Sequence, residues 1–394
     1  MTKKSDAPAI RFKGFSDAWE QRKVQGVADR FDNLRIPVAA NLRVHGTTPY
    51  YGANGIQDYV EGFTHDGEFV LVAEDGANDL KNYPVKCVNG RIWVNNHAHV
   101  LQGKAGIADN SFLAFAISQS DIESLLVGGG RAKLNAETLM SIEFRLPCLQ
   151  EQYRIGEYLT QLNHLITLHQ RKFEKLTNVK KSMLEKMFPQ NGSSYPEIRF
   201  KGFTDPWEQR KLSEITDKVT EKNAGLQYVE TFTNSAEFGI ISQRDFFDHD
   251  IAKLGSLDGY YIVKNEDFVY NPRISTSAPV GPINRNKLGR TGVMSPLYTV
   301  FRPHDIDTTY LEYFFKCGYW HSFMNFNGDS GARSDRFSIR DNVFFQMPIP
   351  IPDIDEQRKI GELLTCLDNL ITLHQRELEK LQNIKKSMLE KMFV

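Results

Sequence analysis

Two short groups of residues carry side chains or backbone types that often support chemistry in proteins. His97-x-His99 offers two imidazole groups to a metal ion, but the sequence supplies no third ligand close to them. Gly128-Gly129-Gly130-Arg131 is rich in glycine, as a phosphate-binding loop is, but it lacks the Lys-Ser/Thr pair that ends such a loop. Both groups are therefore incomplete.

Asn271-Pro272-Arg273 shares its first two residues with the Asn-Pro-Pro motif of aminomethyltransferases, but it lacks the second proline and the aromatic residue. The sequence also contains no Gly-x-Ser-x-Gly turn and no His-Glu-x-x-His helix. It therefore predicts a protein that has no catalytic residues and that binds no metal and no cofactor of its own.

Other polar side chains have the chemistry to read base edges, since arginine pairs well with guanine and asparagine with adenine in the major groove. The first half of the chain offers Tyr51, Asn54, Asn95, Asn96, His97 and His99. The second half offers Arg273, Ser275, Thr276, Arg285, Arg333 and Arg336. Taken singly, each of these residues also fits a turn or an ordinary surface position.

Charge is unevenly distributed along the chain, whose formal net charge is −1. Gln25–Arg145 has 10 Lys/Arg against 14 Asp/Glu, and Ser213–Pro350 has 14 against 17. Leu80–Ala108 and Phe268–His304 nevertheless contain no acidic residue. One cationic stretch in each acidic segment fits a surface that faces phosphates, although a chance run of this kind is the alternative.

The elements that must position these residues are repeated. Ile10–Val24 and Ile198–Leu212 are identical at 12 of 15 positions, and Leu146–Phe188 matches Ile351–Phe393 at 29 of 43. The segments between these blocks share little sequence. The chain is therefore one constant frame written twice around two different inserts, which we interpret as a pseudo-two-fold internal repeat.

Each long repeated block has apolar residues at alternating spacings of three and four, which is the pattern of a helical seam. We expect two helices of about 37 residues that pair with each other as an antiparallel coiled coil. The polar exceptions, His169 with His374 and Lys180 with Lys385, fall at matching positions. The predicted seam includes Leu162, Ile166, Phe173, Leu176, Leu367, Ile371, Leu378 and Leu381.

The inserts are rich in glycine, aromatic and β-branched residues, and we expect each to form a compact α+β domain. Glu68–Ala73 and Gly259–Val263 have the composition of strands, and Asp121–Val127 and Thr309–Cys317 that of short helices. The predicted class is α+β, with two globular domains separated by the two long helices.

The predicted segments are residues 1–145, 146–190, 191–350 and 351–394, in the order domain, helix, domain, helix. The four cysteines lie far apart without a Cys-x-x-Cys pair, which favours reduced thiols in a cytoplasmic protein. The sequence contains no long apolar run and no apolar amino-terminal leader, so we expect no membrane contact.

The sequence resembles the specificity subunits of type I restriction–modification systems over nearly its whole length. The resemblance is carried by PEIRFKGFTDPWEQRKL (196–212), by its copy at 10–24 and by the two Pro–Glu-Gln helices ending in KKSMLEKMF. Pieces of the inserts also resemble target recognition domains of that family. They are YYGANGIQDYV (50–60), EDGAN (74–78), WVNNHAHVL (93–101), NEDFVYNP (265–272) and GARSDRFSI (331–339).

The resemblance implies a non-catalytic subunit in which each insert recognises one half of a bipartite, asymmetric site in double-stranded DNA. It implies that the helices act as a molecular ruler and help to dock two modification subunits, to which restriction subunits are added. S-adenosylmethionine, ATP and magnesium are then expected on those partners. It also places the loop at Gly331–Arg340 towards DNA, which favours Arg333 and Arg336. The corresponding Gly130–Leu134 differs in sequence and offers Arg131 and Lys133.

Two other functions remain alternatives at this point. One is a coiled-coil scaffold whose two domains bind proteins or other ligands, and the other is an enzyme that methylates or cleaves DNA alone. Binding of DNA in the presence of modification subunits separates the scaffold from the first interpretation, and methyl transfer by the isolated chain identifies the enzyme.

The ruler interpretation gives a testable expectation. Insertion of residues into either long helix should change the number of base pairs between the two half-sites, because helix length would set the distance between the domains. Half-sites one helical turn apart lie about 34 Å from each other along the duplex. Methylation mapping of the host genome measures the spacer, and a spacer that an insertion leaves unchanged contradicts the interpretation.

Overall fold

The computed structural model describes residues 7–128, 132–190, 192–246, 254–329 and 335–393. These residues divide into two units, one containing the described residues of 1–171 and 374–394 and the other those of 172–373. Both units mix helices with sheets, so the predicted α+β class is confirmed. Among the described helices, none is both long and apolar enough to cross a membrane.

The first unit contains a six-stranded sheet, short helices and the first part of a long helix. Its strands are β1 (Glu20–Lys23), β2 (Ala28–Arg30), β3 (His45–Gly52), β4 (Gly55–Val60), β5 (His65–Ala73), β6 (Val85–Val94), β7 (Ala98–Gly103) and β8 (Glu143–Leu146). Its helices are α1 (Val24–Val27), α2 (Asn110–Ser118), α3 (Ala136–Ser141), the beginning of α4 (Leu149–Lys186) and, from residue 374 onwards, the end of the second long helix.

The sheet of the first unit is buried on both faces. Its strand order is β2-β7-β5-β6-β3-β4, and β3 pairs with β6 in parallel while the other neighbours are antiparallel. Side chains alternate along β5, so Val70 and Val72 join the core beneath α2 while Phe69 and Leu71 join a second core on the opposite face. This explains why the strand is a continuous apolar run. The predicted helix at 121–127 is wrong, since only Glu123–Leu125 forms a 3₁₀ turn.

The second unit is built on the same plan with shorter strands. Its strands are β9 (Glu208–Lys211), β10 (Thr216–Lys218), β11 (Phe232–Ser235), β12 (Gly239–Ser242), β13 (Tyr261–Val263), β14 (Phe268–Tyr270), β15 (Ile283–Arg285), β16 (Gly292–Met294), β17 (Thr299–Pro303) and β18 (Pro348–Ile351). Its helices are the end of α4, α5 (Gln243–Phe246), α6 (Thr308–Cys317), α7 (Trp320–Asn327), α8 (Asp341–Phe344) and the beginning of α9 (Ile354–Met392).

An antiparallel sheet of order β10-β17-β14-β15 forms the centre of the second unit. Phe268 and Tyr270 of β14 pack in the core beneath α6, whereas Val269 between them packs in the core of the other face. In both units an aspartate caps the helix on the sheet. Asp109 accepts from the backbone N–H of the third residue after it at the start of α2, and Asp307 does the same at α6.

A two-stranded sheet closes each insert at its base. β1 pairs with β8 so that Glu20 lies opposite Leu146, and β9 pairs with β18 so that Glu208 lies opposite Ile351. The chain therefore enters and leaves each insert at neighbouring positions, and the long helix begins within a few residues of that point.

The two long helices run antiparallel within each unit. In the first unit the Nδ1 atoms of His169 and His374 lie 3.1 Å apart, while Phe393, just after α9, packs against Trp19 beside the start of α4. In the second unit Lys180 of α4 pairs with Asp368 of α9. The helices are 38 and 39 residues long, close to the expected 37.

The residues predicted for the seam are less exposed than most of the helix positions between them. Leu162, Leu367 and Leu378 are buried, and the others are half-buried: Ile166, Phe173, Leu176, Ile371 and Leu381. Leu162 and Leu381 belong to the core of the first unit, and Leu176 and Leu367 to that of the second.

The two matching lysines in the seam have different environments. Lys180 pairs with Asp368, which also accepts a hydrogen bond of 2.8 Å from the Tyr313 hydroxyl. The first repeat has Asn163 where the second has Asp368. Burial lowers the pKa of Lys385, the counterpart of Lys180. The repeated frame is thus not electrostatically identical in its two copies.

A buried glutamate in the first turn of each long helix organises the repeated amino-terminal block. The Arg11 guanidinium donates to both Glu151 carboxylate oxygens at 2.9 and 2.6 Å, and Trp19 Nε1 donates to one of them at 3.2 Å. We call Arg11, Trp19 and Glu151 the first glutamate cluster. The Glu151 side chain is fully buried, so these partners take the place of water around its carboxylate.

The second glutamate cluster, Arg199, Trp207 and Glu356, has the same geometry. Both guanidinium hydrogen bonds to Glu356 are 2.8 Å long, and Trp207 Nε1 donates at 3.2 Å. In both copies, the FKGF-x-x-x-W-E-Q block therefore contacts the beginning of the Pro–Glu-Gln helix through the same interaction.

Removal of the arginine should destabilise the unit strongly. Arg11→Met leaves the Glu151 carboxylate buried without its ion pair, which typically costs about 3–5 kcal/mol of the free energy of unfolding. Urea unfolding of the full chain measures this loss. Arg22→Met is the matched control, because Arg22 and Glu20 form an exposed pair that should contribute no more than about 1 kcal/mol. Equal losses for the two variants would contradict the assigned role of the cluster.

Candidate nucleic-acid interface

In the second unit, a short antiparallel stem encloses the loop that the sequence predicts to face DNA. Asp329 and Ser338 exchange backbone hydrogen bonds of 3.1 and 2.6 Å. The loop between them includes residues 330–334, so Arg333 lies outside the described residues. The stem nevertheless fixes where that loop begins and ends.

The same stem pairs with the chain that follows β14. The backbone N–H groups of Phe337 and Ile274 donate to carbonyls of the opposite segment at 2.8 and 3.0 Å. These two bonds flank Arg273 and Arg336, which are therefore a non-hydrogen-bonded antiparallel pair. In such a pair the two Cβ atoms are closest, typically about 4.5–5.5 Å apart, and lie on one face.

The two arginines thus form a pair of like charges. Arg273 is exposed and Arg336 is half-buried. Among the described residues, neither guanidinium has an ion-pair or hydrogen-bond partner. Like charges directly opposite each other destabilise a strand pair, so this arrangement suits an anion that the chain does not itself supply.

Arg336 also lines a cleft of about 450 Å³ in the second unit. Tyr261, Tyr298 and Ser338 contribute aromatic and hydroxyl groups to its wall. Lys218 lines it too, but its ammonium is paired with Asp341. The cleft therefore combines stacking surfaces with one guanidinium that has no acidic partner among the described residues.

The first unit has a related stem with different charges. Val127 and Lys133 exchange two backbone hydrogen bonds of 2.9 Å around residues 128–132. Arg131 lies outside the described residues. In the backbone, Lys133 lies opposite Asp75 in an antiparallel bridge. Asp75 follows β5 as Arg273 follows β14. A basic residue thus lies opposite an acidic residue here, whereas in the second unit two basic residues lie opposite each other.

Nearby groups neutralise the stem of the first unit. Lys133 Nζ lies 2.9 Å from a Glu74 carboxylate oxygen, and His97 Nδ1 lies 2.5 Å from Asp75. Burial by itself would raise the pKa of Glu74, but hydrogen bonds from Lys133 and Arg35 outweigh burial and hold this pKa below its ordinary value. The Glu74 carboxylate is thus an ion-pair partner for Lys133.

His99 and Asp32 extend this network into the interior. His99 Nδ1 lies 2.7 Å from Asp32, and His99 Nε2 lies 2.9 Å from a backbone carbonyl oxygen. Asp32, Glu74 and His99 bring potential metal ligands within 4.8 Å of one another. The Arg35 guanidinium already contacts both carboxylates, at 3.5 and 2.7 Å. The geometry is thus that of an ion-pair network.

Several residues predicted to read bases have structural roles instead. Tyr51, Asn95 and His99 are buried, with exposed fractions of 6%, 4% and 1%. Asn95 accepts from the His97 backbone N–H in a tight turn. The exposed Asn54 binds the backbone of the loop at residues 76–78 through both ends of its amide. These predictions are corrected because Tyr51 is buried and the polar groups of Asn54, Asn95 and His99 are used within the chain.

The prediction that Arg285 contacts DNA is also corrected, because its side chain is used within the chain. Its side chain is 8% exposed, lies 2.6 Å from Glu312 and donates to the hydroxyl groups of Thr308 and Thr309. It therefore stabilises the start of α6. The candidates that remain exposed are Asn96 in the first unit and Arg273, Ser275 and Thr276 in the second, where Arg336 is half-buried opposite Arg273.

The two acid-free stretches do not form acid-free surfaces. In the first unit, Arg91 pairs with Asp66 at 3.2 Å. In the second, Arg290 pairs with Glu230 at 2.8 Å and Arg302 with Asp267 at 2.7 Å. The prediction of a cationic surface is therefore wrong for these side chains, because the fold brings acids from other segments to them. Arg273 is the cationic side chain of the second stretch that has no acidic partner among the described residues.

Known proteins share the sequence pattern of this chain. Residues 16–178 and 204–383 match the family described as the type I restriction modification DNA specificity domain. S.HindORF215P of Haemophilus influenzae, named as a type I restriction enzyme specificity subunit, is 44% identical over 146 residues, which are 37% of this chain and 38% of that protein. The MjaVIII specificity subunit of Methanocaldococcus jannaschii is 25% identical over 305 residues, 73% and 70% of the two chains.

The fold is also shared with a solved structure. The type I restriction–modification S subunit from Mycoplasma genitalium superposes with a TM-score of 0.66 at 13% identity, covering 98% of this chain and 99% of that one. This likeness concerns the fold alone, whereas the family match extends over both repeats. The chain therefore belongs to the family of type I restriction–modification DNA specificity proteins.

Proposed function

We propose that this chain is the DNA-recognition subunit of a type I restriction–modification complex. Each insert, Gln25–Arg145 and Ser213–Pro350, reads one half of a bipartite asymmetric site in double-stranded DNA. The chain itself is non-catalytic and directs methylation or cleavage by partner subunits.

One observation carries the proposal: the same frame is built twice around two unlike inserts. Both glutamate clusters have the same contacts within a few tenths of an ångström. The stems that follow β5 and β14 occupy matching places but carry an Asp–Lys pair and an Arg–Arg pair. A constant frame with divergent surfaces suits a protein that performs one mechanical task and two recognition tasks.

Matching exposed leucines support docking of two copies of one modification subunit. Leu165 and Leu168 in α4 are 40% and 39% exposed, and Leu370 and Leu373 in α9 are 38% and 52% exposed. These residues lie off the seam at equivalent positions of the LITLHQR repeat. An apolar pair repeated on both helices fits a partner that binds twice.

The partners would supply the chemistry and part of the DNA affinity. S-adenosylmethionine, ATP and magnesium belong to the modification and restriction subunits in this proposal, and none is assigned to this chain. The net charge of −1 is low for a protein that holds DNA alone. We therefore expect tight binding only in the assembled complex, in the cytoplasm.

Exchange of one insert tests the proposal. Replacement of Gln25–Arg145 by the corresponding insert of a specificity subunit with a known target should change one half-site and leave the other intact. Single-molecule methylation mapping in cells that contain the modification subunits measures both halves. The reciprocal exchange of Ser213–Pro350 is the matched control and should change the opposite half.

Two outcomes would overturn the modular model. A change in both half-sites, or in neither, after a single exchange is inconsistent with one insert per half-site. Absence of any DNA mobility shift by the assembled complex would favour the scaffold alternative instead.

A further inference from the structure

The Arg273–Arg336 pair has no counterpart of the same charge in the first unit. Both units place two residues opposite each other where the loop stem meets the central strand. In the first unit these are Asp75, which lies 2.5 Å from His97 Nδ1, and Lys133, whose ammonium lies 2.9 Å from a Glu74 carboxylate oxygen. In the second unit the charges are alike, and the described residues supply no acid to either.

Backbone geometry rather than side-chain choice holds the two arginines together. The hydrogen bonds donated by Phe337 and Ile274 fix the register, so residues 273 and 336 must lie opposite each other. Like charges at the closest approach of two extended segments oppose folding. The fold gains no ion pair or hydrogen bond from either guanidinium among the described residues, so the pair is explained best by a ligand.

The surroundings indicate an anion with several acceptor oxygens. Ser275 and Thr276 follow Arg273 in an exposed turn, and the Ser275 hydroxyl lies 3.2 Å from that of Ser277. Their hydroxyl groups are potential donors two and three residues after Arg273 in the chain. Each planar guanidinium group can bind a phosphate with two parallel hydrogen bonds. A base edge, by contrast, needs a single arginine.

We propose that Arg273 and Arg336 together bind one phosphate of the DNA backbone, and that the first unit makes no such contact at Asp75 and Lys133. This inference rests on the proposed function. It predicts that the two inserts hold DNA unequally. The second insert gains affinity from the phosphate at this position. The first insert does not, because the charge of Lys133 is already balanced by Glu74.

Salt dependence of binding tests the inference. The assembled complex of the full chain with its modification subunits is titrated against a duplex that carries the mapped target, at several KCl concentrations. Neutralisation of one phosphate contributes about 0.9 to the slope of log K against log salt. Arg273→Gln with Arg336→Gln should reduce the slope by about 0.9 and weaken binding about fivefold at 0.15 M salt.

Four comparisons make the result specific to a shared phosphate. The double variant should lose little more than the stronger single variant, because both side chains bind one group. The affinity for a duplex with a mismatched target should fall by the same factor as that for the cognate duplex. Lys133→Gln, the matched control in the first unit, should leave the slope unchanged, and Arg336→Lys should retain most of it.

Other outcomes overturn the inference in distinguishable ways. Loss of discrimination at one base pair would assign an arginine to base reading. An unchanged slope in the double variant would show that the pair does not contact phosphate. A clear fall in melting temperature would show that the arginines stabilise the fold, whereas relief of like-charge repulsion should leave it unchanged or raise it. Failure of the unmodified complex to bind the mapped duplex would refute the proposed function itself.

Discussion

A buried carboxylate at the start of each long helix is the interaction on which the frame depends. Glu151 and Glu356 lie in or near the first helical turn, where backbone N–H groups favour negative charge. Each carboxylate also accepts from an arginine and a tryptophan of the repeated amino-terminal block. The cost of burying that charge is offset only when the block, the helix and the chain between them are folded together.

This interaction lets the inserts diverge. β1 with β8, and β9 with β18, bring the two ends of each insert to neighbouring positions next to a glutamate cluster. The intervening chain can therefore change length and sequence, provided that it returns to the same place. The two inserts do so with one sheet buried on both faces in the first unit and a smaller antiparallel sheet in the second. Their surfaces are then free to acquire different charges.

The frame could be predicted from sequence because its signals are local. The repeated residues and the regular apolar spacing predicted the length of each helix to within two residues of the observed length. The interaction surface could not be predicted in the same way. Arg285 and Arg302 lie in an acid-free stretch, yet in the folded chain Arg285 pairs with Glu312 and Arg302 pairs with Asp267. Asp267 is even the residue immediately before that stretch, so only the pairing of strands shows where it points.

The candidate site illustrates the same limit. Arg273 and Arg336 were both candidates by residue type, but they are 63 residues apart in sequence, and nothing local predicts that they lie opposite each other. Tyr51, Asn95 and His99 have equally suitable side chains, yet the interior uses their polar groups or buries them. Residue type therefore defined a candidate set, and long-range backbone pairing selected within it.

The meeting of His169 and His374 has a consequence for symmetry. A hydrogen bond between two Nδ1 atoms 3.1 Å apart needs one nitrogen that carries a hydrogen and one that offers a lone pair. Two histidines from identical LITLHQR segments must therefore differ in tautomer or protonation when they form this bond. The two segments have identical sequences at this point, but the hydrogens on their two imidazole rings must differ in position or in number. The two-fold relation between the repeats is therefore not exact at this contact.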